Sequence, residues 1–310
     1  MGKKAIWLVA VWLVCGLLFT VRGEAAQKWT DLPYATASAK QKLDIYLPEI
    51  GEAPYPVIIA FHGRGGDKLS VEMNGPLSGL QRGYAVVCVN YREPPEARFP
   101  ADVMDAKTAV RFVRANADKY KLDSSRIAAW GDSMGGRLVS FLGTTAAHPE
   151  FDDFSFGYVG ESCRVNAVVA WFPALDDVNI DADFRKLGLK PALSRNDADY
   201  GLEMYGAPVQ KIAGLVGFSN PIRYVDSSAV PFCIEHGTSD GVCPISQSEM
   251  LAEKLRHNIG GGRVTFIAVD GAGHHTGDFT NEENLREVFK FLHEHLHLDL
   301  KNNKKKNRKA

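Results

Sequence analysis

Six short apolar runs recur through the chain, and they constrain its fold more than any other feature of the sequence. They cover residues 57–61, 84–89, 127–130, 167–172, 230–234 and 264–269. None of them alternates apolar with polar residues, which is typical of strands buried on both faces of a parallel sheet. Amphipathic helical patterns follow at 102–120, 138–147, 247–259 and 282–296. This order predicts an α/β fold with a doubly wound, mostly parallel sheet that binds ligands beyond the carboxyl ends of its strands.

One segment, residues 176–228, interrupts this alternation and shows little periodicity. A stretch of this length without regular structure is improbable inside a compact domain. We therefore expect it to form a small helical cap insertion beside the site, within a single domain that spans residues 27–300.

The candidate nucleophile is Ser133, at the centre of the pentapeptide Gly-Asp-Ser-Met-Gly at 131–135. In a Gly-x-Ser-x-Gly elbow the serine occupies a strained strand-to-helix turn, and the flanking glycines prevent steric clashes there. Here the pentapeptide follows a buried apolar run and precedes a helical pattern. Because that context is what the motif requires, the sequence predicts nucleophilic catalysis by Ser133.

A serine hydroxyl needs a base to accept its proton, and the base needs a carboxylate to orient it. His274 and His275 follow the last apolar run, and we favour His274 because it comes directly after the Gly-Ala-Gly turn at 271–273. For the acid we favour Asp240, which follows the preceding run and gives the order serine, acid, histidine. The rival acids, Asp176 and Asp177, are more typical of a helix start or of solvated surface.

Acyl transfer also needs hydrogen-bond donors for the oxyanion. The loop Phe-His-Gly-Arg-Gly-Gly at 61–66 follows an early apolar run, so the backbone amides of Gly63 and Arg64, together with that of Met134, are the expected donors. Two roles remain open for the Arg64 guanidinium: attraction of a carboxylate or a sugar of the substrate, and simple solvation.

Together these motifs resemble the esterase/lipase α/β-hydrolases related to hormone-sensitive-lipase-type enzymes and to bacterial feruloyl and acetyl esterases. The matching stretches are residues 61–66, 89–92, 99–101, 131–136, 165–172, 236–244, 247–249 and 271–274. The resemblance implies the α/β-hydrolase fold and hydrolysis of carboxylic esters, often acetyl or feruloyl groups on plant polysaccharides. Arg64 stands in place of a glycine and Cys243 in place of an aliphatic residue, which affects the substrate pocket more than the reaction.

Two functions are alternatives to a serine esterase. A peptidase of prolyl-oligopeptidase type shares the fold but usually carries a large extra domain, and the roughly 50 residues before the first apolar run are too few to hold one. A non-catalytic binding protein on a hydrolase scaffold usually lacks a catalytic residue, and here all three are present.

The sequence contains no His-Glu-x-x-His spacing, Walker loop or dinucleotide fingerprint, so no metal or cofactor is predicted. The net charge of −1 gives no sign of nucleic-acid binding. The expected partner is a small-molecule or polysaccharide ester.

The two termini differ in character from the rest. Residues 1–25 contain Lys3 and Lys4, an apolar run at 5–21 and small residues from Gly23 onward, the layout of a secretory signal peptide. We expect this segment to be cleaved, which leaves an enzyme that does not span the membrane and is secreted or periplasmic. The alternative is that the segment stays uncleaved and anchors the protein in the membrane.

Residues 301–310 hold six basic residues in ten, which indicates either a disordered basic tail or a segment that binds acidic polymers or membranes.

Overall fold

The centre of the molecule is one eight-stranded sheet, seen in a computed structural model that describes residues 25–297. Its strands, in the spatial order β1-β2-β4-β3-β5-β6-β7-β8, are β1 Gln27–Pro33, β2 Lys42–Leu47, β3 Tyr55–Phe61, β4 Ala85–Val89, β5 Leu122–Asp132, β6 Ala167–Trp171, β7 Phe232–Gly237 and β8 Val264–Val269. Strands β3 to β8 are mutually parallel, whereas β2 pairs antiparallel with both β1 and β4. The prediction of a mostly parallel sheet is confirmed.

Helices follow most of the strands. They are α1 Asn74–Leu77, α2 Ala101–Ala115, α3 Ser133–Thr144, α4 Ile180–Lys186, α5 Ala198–Tyr205, α6 Ala213–Val216, α7 Ser246–Ile259 and α8 Glu282–His295. Within residues 25–297, none of these helices is both long and apolar enough to cross a bilayer.

Alternate side chains of each strand face opposite layers of helices, because successive residues of a strand point to opposite faces. On β3, Ile59 belongs to the core cluster that contains Val110 of α2 and Leu138 of α3. Its neighbour Ile58 instead joins Phe289 of α8 in a second cluster on the other face. The sheet is therefore doubly wound, as predicted, with apolar core on both of its faces.

The first two strands were not predicted from the sequence. β1 lies at the edge of the sheet and its residues are exposed or only half-buried, so it lacks an apolar run. β2 is interrupted by Asp44, which is fully buried and forms an ion pair with Lys68 at 2.6 Å. The core strands therefore begin before residue 57, with an antiparallel pair that apolar periodicity does not detect.

The helices between core strands differ from prediction mainly at their ends. α2 stops at Ala115 rather than near 120, and α3 begins at Ser133 itself rather than after the paired glycines. The second difference matters for the site, because it places Ser133 at the junction between β5 and α3.

Candidate active site

Ser133 occupies a sharp turn between strand β5 and helix α3. Its φ of 51° lies in the left-handed region that non-glycine residues seldom adopt. Such strain persists only where the surrounding structure enforces it, and it is concentrated at functional sites. The turn raises the serine hydroxyl beyond the carboxyl end of β5, which is where a doubly wound sheet binds its ligands.

The two glycines of the pentapeptide are required by close backbone contacts. A Cβ atom at Gly135 would lie 2.1 Å from the carbonyl oxygen of Phe61, and one at Gly131 would lie 2.4 Å from that of Gly135. Real Cβ atoms never approach this closely, so any side chain at either position would force the turn open. The end of β3 and the start of α3 are therefore in direct backbone contact beneath Ser133.

His274 bridges the serine and a carboxylate. Its Nε2 lies 2.9 Å from Ser133 Oγ, and its Nδ1 lies 2.7 Å from Asp240 Oδ2. The ring of Phe172 packs edge-on against the imidazole, with the two centroids 4.8 Å apart. The structure thus brings together the three residues that the sequence singled out, in the geometry in which a base can accept the serine proton.

Asp240 is held by more donors than His274 alone. Its Oδ1 accepts hydrogen bonds from the backbone amides of Val242 and Cys243, at 2.8 and 2.9 Å. Its Oδ2 also lies 3.2 Å from Nε2 of His236, a fully buried residue four positions earlier. Burial opposes ionisation, but the hydrogen bonds from His236 and His274 outweigh it and hold the pKa of Asp240 well below its ordinary value.

His236 is a site residue that the sequence analysis missed. Its Nδ1 is 2.7 Å from Ser248 Oγ, so the ring spans from α7 to the Asp240 carboxylate. The available signal was its spacing, since His236 stands at the end of a core strand and Asp240 follows in the next turn. The neighbouring candidate base, His275, also lines the pocket, but its side chain is 67% exposed and pairs with Asp278 rather than with Ser133.

The three expected oxyanion donors, Gly63, Arg64 and Met134, line the same pocket as Ser133. Met134 is the second residue of α3, so its amide has no partner within the helix and is available to a ligand. Gly63 lies against the carboxyl of Asp132, and burial raises the pKa of that carboxyl to about 8, although a hydrogen bond from the Gly63 backbone opposes the rise. The Gly63 amide is therefore shared between Asp132 and the pocket.

The pocket around Ser133 has a volume of about 840 Å³, and both charged and apolar residues line it. The cap segment 176–228 supplies Asp177, Leu193, Arg195, Tyr200, Glu203 and Met204, and the core supplies charged residues that include Lys40, Arg64, Glu72, Glu93, Asp132 and Arg137. Apolar residues of the core, such as Phe172 and Val242, complete the lining. The pocket therefore combines apolar surface with polar groups, as ligand sites usually do.

The two rival acids lie away from His274. Asp176 caps a turn by accepting hydrogen bonds from the amides of Val178 and Asn179. The interpretation of Asp177 as a helix start or solvated surface is wrong, because the structure buries it completely. Its carboxylate accepts hydrogen bonds from Arg195 Nε, Tyr200 Oη and Tyr205 Oη within the cap segment. It also pairs with Arg137 of α3 at 3.5 Å, which joins the cap segment to the core.

A family comparison decides the assignment of the chain. Residues 43–255, more than half of the sequence, match the model of the family described as BD-FAE. The chain belongs to the BD-FAE family. The matched range contains Ser133, Asp240 and the loop at 61–66, and the predicted resemblance to esterase α/β-hydrolases is confirmed.

Curated relatives of this BD-FAE member carry esterase names. It is 30% identical over 241 residues to Esterase LipC of Mycobacterium tuberculosis, which covers 76% of this chain and 56% of LipC. Against Esterase LipQ of the same organism it is 27% identical over 273 residues, or 85% of this chain and 60% of LipQ. The chain thus spans little more than half the length of these relatives.

Solved structures give the same fold. A truncated form of a carbohydrate esterase from gut microbiota superposes with a TM-score of 0.78 and 29% identity, covering 89% of this chain and 98% of the other. A bifunctional GH43-CE protein of Bacteroides eggerthii gives a TM-score of 0.72 and 32% identity, covering 86% of this chain and 38% of the other. The BD-FAE chain is therefore an α/β-hydrolase whose relatives and structural neighbours are named as esterases.

Proposed function

We propose that this chain is a serine hydrolase that cleaves carboxylic esters through an acyl-enzyme, with Ser133 as nucleophile, His274 as general base and Asp240 as the orienting acid. The observation that carries the proposal is the pair of hydrogen bonds that His274 makes with Ser133 and Asp240 at the floor of an open pocket. The esterase names of the relatives support the same reaction.

The geometry suggests how each step would proceed. His274 Nε2 accepts the proton of Ser133 as Oγ attacks the ester carbonyl, and Nδ1–H donates to Asp240 throughout, which keeps Nε2 free of hydrogen. The resulting imidazolium is stabilised by the ionised Asp240. Backbone amides of Arg64 and Met134, with that of Gly63, face the developing oxyanion. His274 then returns the proton to the leaving alcohol, and water removes the acyl group from Ser133 by the same sequence of steps.

We further propose that the alcohol part of the substrate is a carbohydrate, with acetyl or feruloyl as the acyl group. A structural neighbour with 29% identity and a TM-score of 0.78 is named a carbohydrate esterase. Charged side chains such as Lys40 and Glu72 line the pocket and can form hydrogen bonds with sugar hydroxyls. Both observations support a polar alcohol.

We also propose that the enzyme is exported after removal of residues 1–25. Residues 1–24 lie outside the described residues, as does the basic segment 301–310. The support is the sequence pattern of the amino terminus. Intact-mass analysis of protein recovered from the medium or periplasm should give a chain that begins near residue 24–27. Protein that still carries Lys3 would contradict export by cleavage.

The reaction is tested with p-nitrophenyl acetate, acetylated xylan and methyl ferulate as substrates for the wild type, Ser133→Ala and His275→Ala. Ser133→Ala should lose about 10⁴-fold or more in kcat and all labelling by a fluorophosphonate probe. His275→Ala is the matched control at the same edge of the sheet, and it should retain both. A folded Ser133→Ala protein with full turnover would overturn the mechanism.

A further inference from the structure

A second cleft lies at the end of the sheet opposite to Ser133. It has a volume of about 500 Å³ and lies where strands β6, β7 and β8 begin. Its lining residues, which we call the basic cleft, are Arg114, Ser125, Ser162, Arg164, Val165, Asn166, Val230, Pro231, Arg263, His295 and His297. The proposed catalytic residues all follow the carboxyl ends of strands, so the basic cleft is separate from the ester site.

The charge of the basic cleft is not compensated within it. Three arginines and two histidines line it, and none of its lining residues in the described chain is acidic. The guanidiniums instead contact backbone carbonyls: Arg164 donates to Ser228 O at 3.0 Å and Arg263 to Ala229 O at 3.2 Å. These contacts orient the two side chains and leave their positive charge unneutralised.

Arg114 is the clearest example of a positive charge in the cleft without an acidic partner among the lining residues. Its two terminal nitrogens donate to the carbonyls of Ser124 and Arg164, while its buried Nε has no hydrogen-bond partner among residues 25–297. Burial lowers the pKa of Arg114, and Glu161, outside the lining, only partly opposes this. Contacts with carbonyl groups leave the positive charge of this guanidinium uncompensated, and that charge attracts an anion to the cleft.

The neutral residues of the basic cleft indicate what kind of anion fits. The Ser162 hydroxyl and the Asn166 amide nitrogen are polar groups at the rim, while Val165 is buried beneath them and Pro231 adds apolar lining. The Ser125 hydroxyl donates to Asp123 instead. A pyranose ring presents hydroxyl groups at its edge and C–H groups on its face, so it matches a polar rim above an apolar floor. Guanidinium groups pair bidentately with carboxylates.

We propose that the basic cleft binds the carboxylates of an acidic polysaccharide, a chain of uronic-acid sugars. The choice of a polysaccharide rests on the proposed function, whereas the presence of an anion site does not. Such a cleft would hold a polymer at a distance from the ester site and raise the local concentration of ester groups on the same polymer.

The proposal is tested by binding of polygalacturonate, with dextran as the neutral control, to full-length protein by isothermal titration calorimetry. The double variant Arg164→Gln/Arg263→Gln should bind polygalacturonate about tenfold more weakly or worse, because two charge-assisted contacts are lost. The matched control Arg185→Gln/Lys190→Gln removes the same charge from two exposed positions of the cap segment and should change binding less than about twofold. Thermal unfolding of both variants checks that they fold.

Three results would overturn the proposal: no binding of polygalacturonate by the wild type, equal weakening in both double variants, or binding of phosphatidylglycerol vesicles or duplex DNA with the same dependence on Arg164 and Arg263. Binding is measured without turnover, so a protein that lacks esterase activity would still give an unambiguous answer about this cleft.

Discussion

Arg64 and Glu203 form an ion pair across the mouth of the pocket, with Arg64 Nη2 2.5 Å from Glu203 Oε1. Arg64 belongs to the loop after β3, and Glu203 lies on α5 of the cap segment. The Arg64 guanidinium also sits 5.8 Å from the centre of the Tyr200 ring. The Arg64 side chain therefore forms part of the wall of the pocket that contains Ser133. Its backbone amide is one of the expected oxyanion donors.

Arg64→Ala should separate the role of the Arg64 side chain, which forms part of the pocket wall, from that of its backbone amide, which is an expected oxyanion donor. We expect kcat for p-nitrophenyl acetate to change less than about threefold, because the backbone amide is kept, while KM for acetylated xylan rises about tenfold. Steady-state kinetics on both substrates provide the measurement. Glu203→Gln, which breaks the same pair from the cap, should follow the same pattern. An equal fall in kcat on both substrates would instead place the Arg64 side chain in the chemical step.

Asp177→Asn should destabilise the protein. The substitution removes the charge that pairs with Arg195 at 3.0 Å, leaving a guanidinium buried without a counterion. Breaking a buried pair in this way costs about 3–5 kcal/mol, which urea denaturation would detect as a lower midpoint. Asp176→Asn, at the adjacent turn, is the control and should cost less than about 1 kcal/mol. Equal stability of the two variants would contradict the anchoring role of Asp177.

Asp132→Asn should remove an alkaline decline in activity. Burial raises the pKa of Asp132 to about 8, so this carboxyl is neutral at pH 7 and ionises as the pH rises above 8. A negative charge beside Ser133 would oppose the developing oxyanion, and kcat/KM of the wild type should fall above that pH. The profile of Asp132→Asn should be flatter there.

A variant of Glu72 provides a control for the proposed effect of Asp132 ionisation on activity at alkaline pH. Its charge helps to raise the pKa of Asp132, so Glu72→Gln should move the alkaline decline to lower pH. If the wild type and Asp132→Asn decline identically between pH 7 and 10, the group responsible is not Asp132.

Glu235→Gln should change how stability depends on pH. Burial raises the pKa of Glu235 from about 4.5 to about 8, although a contact with Trp171 partly opposes the rise. Between these values the unfolded chain is ionised at Glu235 and the folded chain is not, so the unfolded state binds fewer protons and stability falls as pH rises. Above about 8 both states are ionised and this contribution becomes constant.

The glutamine variant does not titrate at this position. From pH 5 to pH 8, the Tm of Glu235→Gln should therefore rise relative to the Tm of the wild type. Differential scanning calorimetry provides the measurement. A difference that stays constant over this range would show that Glu235 is ionised in the folded protein.

The parts of the fold that were predictable from sequence are those whose signal is local. Strands β3 to β8 are continuous apolar runs, and the Gly-Asp-Ser-Met-Gly pentapeptide carries its own backbone requirement. β2 was missed because Asp44 is buried in it, and the charge that compensates Asp44 comes from Lys68, in a distant part of the sequence. Only the folded chain brings those two residues together.

The same reasoning applies to the site. Ser133, His274 and Asp240 could be chosen because each follows the end of a core strand, and parallel strands bring such ends together. Asp177 could not, since its importance depends on Arg195 and Tyr200, which lie elsewhere in the sequence. His236 also stands at the end of a core strand, but the sequence does not show that its ring contacts both Ser248 and Asp240.

The backbone contact between Gly135 and Phe61 limits which mutations can alter the substrate selectivity of such an enzyme. Because the nucleophile turn and the oxyanion loop touch through main-chain atoms, they form one rigid unit whose geometry does not depend on side-chain identity. New substrate preferences must then arise around this unit, through side chains such as Arg64 and through the cap. A mutant library aimed at altered selectivity should therefore vary residues 176–228 and leave both glycines of the turn untouched.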